Sequence, residues 1–157
     1  MILISIALAV TPIAPIVKGT ALPPPETAEG AVMAPITTLL DALTHKDGAA
    51  MLAVTLPEGS ITAARVEADG SHSHKTLRWA DFAAVIKPGG PRIVETLGTP
   101  AIEIDEDVAM VWAPYTVTAD GTLSHCGYDH FDLVRSGGAW KILNITYSHR
   151  TTGCAPQ

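Results

Sequence analysis

The chain has few basic residues. Ten Lys and Arg stand against sixteen Asp and Glu, for a formal net charge of −6, and nowhere do they gather into a run. This argues against nucleic acid and anionic membrane surfaces as partners. There is no Gly-rich phosphate loop, no Ser-His-Asp series and no Cys-x-x-Cys pair, so the motifs tied to one chemistry are missing. Internal repeats are absent too. No apolar run is well suited to span a bilayer: residues 1–17 form an apolar stretch, but it is short and interrupted by Pro12 and Pro15. With Gly19-Thr20-Ala21 behind it, that stretch reads as a cleavable export signal over 1–21, although no basic residue precedes it. A proline-rich linker over 22–27 and a single folded domain over 28–154 would follow, which places the protein outside the cytoplasm, secreted or periplasmic.

What is present is an α+β order. Between Ala31 and Leu43 the apolar residues Val32, Ile36, Leu39, Leu40 and Leu43 recur at helical spacing until Asp47-Gly48 ends the pattern. Pro35 belongs in the first turn or makes a kink. A short helix over Ala49–Val54 and a third around Trp79, Phe82, Ala83 and Ile86 flank a small hairpin turning at Asp69-Gly70. Residues 92–104 then read as one long strand, broken by Gly98 and Pro100. The expected fold is about three N-terminal helices packed in a strongly bent antiparallel sheet.

The most informative block runs from Val108 to Arg150 and reads as three antiparallel strands. Asp120-Gly121 is a two-residue turn signal that pairs Thr116 with His125 and Trp112 with Asp129. The turn at Ser136-Gly137-Gly138-Ala139 pairs Arg135 with Trp140, Leu133 with Ile142, Phe131 with Asn144 and Asp129 with Thr146. Period-two alternation then collects Met110, Trp112, Thr116, His125, Asp129, Phe131, Asn144 and Thr146 on a pocket face, continuous with a core of Leu133, Trp140 and Ile142. The other face, with Val111, Ala113, Tyr115, Val117, Ile145 and Tyr147, is too apolar for water and points to a homodimer formed through it. A β-bulge in any strand would exchange these faces and bring Tyr115, His130 or His149 inward.

On the pocket face Asp129 is the candidate general base, its charge disfavoured by desolvation, and His125 the candidate proton donor or orienting group. Trp112, Met110, Thr116, Phe131, Asn144 and Thr146 are candidate ligand contacts for a small apolar or aromatic molecule. The competing reading is structural: Asp129 is satisfied by Thr146 across the strand, and Trp112, Phe131 and Trp140 are core. His72 and His74 share a strand face without a nearby acid or thiol, so they read as hairpin residues and no metal or cofactor is required. Asn144-Ile145-Thr146 has the form of a glycosylation acceptor but lies inside a strand. In this register Cys126 lies opposite His149, five residues short of Cys154, so a bridge needs the tail to curl back; otherwise Cys126 is a buried thiol and Cys154 sits in a frayed tail.

The helix ending in HKDG, the strand VAMVWAPYTVTADG and the segments SHCGYDHFDLV and GAWKILNITYSHR resemble the nuclear transport factor 2-like superfamily, and within it the small bacterial branch labelled putative lumazine-binding or SnoaL-like. The resemblance implies a cone, a bent sheet wrapping helices around a pocket, dimerising through the sheet's outer face. Members include isomerases, dehydratases and cyclases as well as binding-only proteins, so the fold does not choose a reaction. Two functions stay open: a small-molecule-binding cone, and a cofactor-independent lyase, isomerase or cyclase using Asp129 and His125. A cone filled by its own side chains would be neither.

Overall fold

The computed structural model describes residues 21–67 and 69–154, so the export signal read over 1–21 lies outside the described residues except for Ala21. The first helix, α1 (Ala28–His45), begins where the Thr27 side chain accepts a hydrogen bond from the Gly30 N–H at 3.0 Å. It ends where Lys46 adopts a left-handed φ of 58°. Pro35 falls within α1 and gives no N–H to the Ala31 carbonyl, yet the helix continues because Val32, Ile36 and Leu39 bury one stripe against the sheet. Asp47 caps the following helix, α2 (Gly48–Val54), by accepting from the Ala50 N–H at 2.9 Å.

The chain continues through β1 (Thr55–Val66), β2 (His72–Arg78), α3 (Trp79–Val85), β3 (Ile93–Leu97), β4 (Ala101–Asp105), β5 (Val108–Ala119), β6 (Thr122–Ser136) and β7 (Ala139–His149). These form one seven-stranded sheet in the order β2-β1-β7-β6-β5-β3, with β4 also paired to β5. The strand expected over 92–104 is two strands, both antiparallel to β5, separated at Gly98–Pro100. The sheet is also not wholly antiparallel, because β1 runs parallel to β7. Three helices pack in the concavity, and no helix among the described residues is long and apolar enough to cross a membrane.

Besides a register shift between Thr55 and Ser60 of β1, two bulges lie in the β5–β6–β7 block, and both correct the expected register. At the Asp120-Gly121 turn the pairing begins as expected, Ala119 with Thr122 and Thr118 with Leu123, but Ser124 is then extra and Val117 faces His125. All of β5 beyond that point is turned over relative to the expectation. Next to the second turn, Arg135 pairs with Trp140 and Leu133 with Ile142 as expected. Leu143 is then skipped, and Phe131 faces Ile145 and Asp129 faces Tyr147. An extra residue bends its strand and increases the local twist, and this curvature makes a cone from a sheet.

The Leu143 bulge has a specific support. Its carbonyl accepts a hydrogen bond from the Trp79 indole N–H at 2.8 Å, and Trp79 is fully buried. Gly59 passes so close to the same carbonyl that a Cβ there would lie 1.7 Å from the oxygen. The core gathers Val32, Ile36 and Leu39 of α1 with Met51, Trp79, Val111, Phe131, Leu133, Ile142 and Ile145.

Candidate functional site

The bulges decide which of the expected site residues meet. His125, Asp129 and Phe131 of β6 do line one cavity. Met110, Trp112 and Thr116 do not: with β5 turned over they lie on the convex face, where Trp112 is 46% exposed and stacks on Tyr128 with ring centroids 5.2 Å apart. Asn144 and Thr146 are likewise turned outward by the skipped Leu143, and the Asn144 side chain accepts from the Ser60 N–H instead. Their places inside are taken by Tyr115, Val117, Ile145 and Tyr147. Val111, Ala113, Tyr115 and Val117, expected on the outer face, are buried inside. Of the alternative histidines, His149 joins the concave face against His125, whereas His130 stays outside, 6.1 Å from the Trp112 ring. His72 and His74 remain exposed in β2.

The cavity holds about 250 Å3. Leu39, Leu40 and Leu43 of α1 and Phe82 of α3 close one side, and Ile61, Ile93, Val117, Phe131 and Ile145 of the sheet close the other. Its polar part is concentrated: Glu95 from β3, Asp129 from β6, the two tyrosines, and His125 with Ser124. The Tyr115 and Tyr147 rings meet edge to face at 6.0 Å. Tyr115 is committed to structure, its hydroxyl donating to the Ser148 carbonyl at 2.8 Å. His125 and His149 stack with centroids 4.3 Å apart, and Ser124 Oγ lies 3.2 Å from His125 Nδ1.

Asp129 is only 3% exposed, and its Oδ2 has no hydrogen-bond partner among the described residues. Thr146, expected to hold it from across the strand, does not face it, because the bulge puts Tyr147 there. Its neighbour is Glu95, close enough for the two carboxyls to share a hydrogen bond. Burial raises the pKa of Asp129 well above the ordinary range, and the adjacent Glu95 charge raises it further. Burial raises Glu95 as well. Two carboxylates in an apolar site cannot both ionise cheaply, so the pair retains a proton and offers one donor and one acceptor to whatever enters. Glu95 had no place among the expected site residues. Its signal was in the sequence, since Ile93, Glu95 and Leu97 alternate on one strand face and put an acid between two apolar residues.

Above the pair the histidines are held neutral. Burial, then His149 and Arg65, lowers the His125 pKa from 6.5 to about 4, and burial with Arg65 also lowers His149. A depressed histidine binds fewer protons folded than unfolded, so its contribution to stability is complete above pH 6.5 and is lost as pH falls toward 4. Urea denaturation of His125→Gln across that interval is expected to show a shallower acid loss than the parent protein. An unchanged slope would mean that His125 titrates normally.

No curated protein matches the chain. Solved structures do. An NTF2-like protein from Cytophaga hutchinsonii superimposes with a TM-score of 0.65 at 13% identity, covering 79% of this chain and 99% of its own. The beta subunit of a putative aromatic-ring-hydroxylating dioxygenase from Novosphingobium aromaticivorans gives 0.65 at 15%, covering 80% and 91%. A protein of unknown function with a cystatin-like fold from Nostoc punctiforme gives 0.62 at 14%, covering 80% and 95%. At such identities the likeness is one of fold. The chain's fold is like that of the NTF2-like structures, and residues 27–148 match the family described as "Putative lumazine-binding", to which the chain belongs.

Proposed function

We propose that the protein binds a compact, mostly apolar small molecule in the cone, and that a polar group of this molecule meets the Asp129–Glu95 pair. The observation that carries this reading is the buried Asp129–Glu95 pair at the polar end of an otherwise apolar cavity, where among the described residues no group but Glu95 answers Asp129 Oδ2. A buried acid pair with only each other for partners is costly, and a ligand donor, or a carbonyl answered by the shared proton, would relieve it. The volume of about 250 Å3 lies below the ~300–1,000 Å3 usual for drug-sized ligands, which favours a small ring system. The family name makes lumazine one reasonable member of a first panel.

The protein would act after export and as a dimer. Export is supported by the leader-like residues 1–21 and by the Cys126–Cys154 disulfide, a bond typical of oxidising compartments. Self-association is supported by a convex patch of exposed Val108 and Trp112 with half-buried Tyr128, which replaces the set expected from sequence.

A second reading, proton transfer without a cofactor in a lyase, isomerase or cyclase, is favoured by the raised pKa of Asp129. The ionised member of the pair would take a proton from carbon next to a carbonyl, while the protonated member hydrogen-bonds the carbonyl oxygen. Native mass spectrometry of protein purified without denaturation is expected to show one small molecule per chain. Protein that retains none, and that binds no member of a panel of bicyclic aromatics by ligand-observed NMR, would sink the binding reading.

Asp129→Asn distinguishes the two. If the site only binds, affinity is expected to fall roughly tenfold to a hundredfold, the cost of losing a charge-assisted or buried hydrogen bond. If it catalyses, turnover disappears while affinity is largely kept. In either case the variant is expected to be more stable than the parent at neutral pH. A carboxyl with a raised folded pKa binds more protons folded than unfolded, so the parent loses stability as pH rises above about 3.8, and the amide does not. The gap should widen with pH in parallel urea titrations.

A further inference from the structure

We infer that the ligand is an amphipathic anion, whose apolar body fills the cavity while its carboxylate or phosphate lies at the mouth against Arg65 and Lys75. This rests on the small-molecule reading above and adds the charge of the ligand to it.

The alternation of β1 places Ile61, Ala63 and Arg65 on the concave face, the first of them in the cavity wall. A groove of about 370 Å3 adjoins the cavity and shares Ile61, Phe82 and Tyr147 with it. Its outer walls are Arg65, Ser73 and Lys75, brought together because Arg65 pairs with Ser73 and Ala63 with Lys75 across β1 and β2. On the other side Arg65 is in register with His149 of β7, and Arg150, the next residue, lines a neighbouring groove that Arg65 also borders. The cavity and the groove thus share a wall, the cavity mostly apolar and the groove edged by cations.

These cations have no counter-ions. Among the described residues no carboxylate lies within ion-pairing distance of Arg65, Lys75 or Arg150, although the chain has sixteen acids. Glu67 borders the neighbouring groove, where it accepts from the Ser73 hydroxyl, keeps its charge and makes no ion pair with these cations. The Arg65 charge is also felt inward: it adds to the burial that lowers His125 and His149 and opposes the burial that raises Tyr147. A guanidinium without a carboxylate partner, lining the same groove as an ammonium, is an arrangement that recognises a carboxylate or phosphate. The acid pair lies deeper and, retaining a proton, presents less negative charge to an anion held at the mouth than two carboxylates would.

Three probes of one shape test this: 2-naphthoate, 2-naphthyl phosphate and the neutral 2-naphthylmethanol, titrated calorimetrically into the full chain. At least one anion is expected to bind roughly tenfold to a hundredfold more tightly than the alcohol, as a charge-assisted contact implies. Which anion does so separates carboxylate from phosphate ligands. In Arg65→Gln/Lys75→Gln the preference should collapse toward one while alcohol affinity stays as it was, and added salt should weaken the anion alone. If the alcohol binds as well as both anions, or the preference survives the double substitution, the anion proposal is overturned and the cavity reading stands. If none of the three binds, both are overturned.

Discussion

Trp79→Ala is expected to destabilise the protein by roughly 3–5 kcal/mol, the range for deleting a large buried aromatic. Trp79 is fully buried, packed in the core edge to face with Phe82, and its indole N–H holds the carbonyl of the residue that β7 leaves out of its ladder. Without the indole the Leu143 carbonyl is left without this donor, and the bulge loses the group that favours it over regular pairing. Regular pairing would restore the sequence-based register, with Asn144 and Thr146 inward and Ile145 and Tyr147 outward. The loss should therefore reach the site as well as the core. Trp79→Phe separates the two contributions: the ring is largely kept and the donor removed, for an expected loss of roughly 1–3 kcal/mol. Urea unfolding gives both stabilities. A phenylalanine variant as stable as the parent would mean that the indole hydrogen bond does not hold the bulge.

Removal of the disulfide is the second large effect. The bridge joins Cys126 to Cys154 across a sequence separation of 28 residues, with Cα atoms 5.6 Å apart. The chain-entropy account gives roughly 3–4 kcal/mol for closing a loop of that length in the unfolded state. The double variant Cys126→Ser/Cys154→Ser is expected to lose about that amount and to become insensitive to reductant, whereas the parent protein should fall to the same stability in dithiothreitol. A reductant-insensitive parent would mean the bond is not formed in solution. The bridge exists because of a bulge. Cys126 is bonded in both directions to Arg150, at 2.9 and 3.0 Å, and not opposite His149, so the tail has one residue fewer to span before turning back.

The bulges explain most of what was and was not legible. Both turns were read correctly, and near them so was the pairing, because turn chemistry is local. The slip in β7 left a trace in the sequence: Trp140 and Ile142 alternate in one phase, Ile145 and Tyr147 in the other, with Leu143 adjacent to Ile142 where the phase changes. The slip at Ser124 left none, since Thr122, Leu123 and Ser124 are exposed and carry no apolar period. Trp112 illustrates the consequence. Its size made it an attractive pocket wall, but one extra residue in the opposite strand turned it to the convex face.

By itself the sequence determined the helices, the turns, the three-strand block and the inward face of β6, and hence His125, Asp129 and Phe131 as cavity residues. All of these follow from periodicity and turn residues over short distances. Only the tertiary structure decided the company they keep. Glu95 and Asp129 sit on strands separated by β5, and only sheet curvature brings their carboxyls together. Arg65, Lys75 and Arg150, scattered in a chain of net charge −6, converge because β1 pairs with β2 on one side and β7 on the other. Such meetings depend on register and curvature, which two inserted residues control and which no local pattern around Ser124 records.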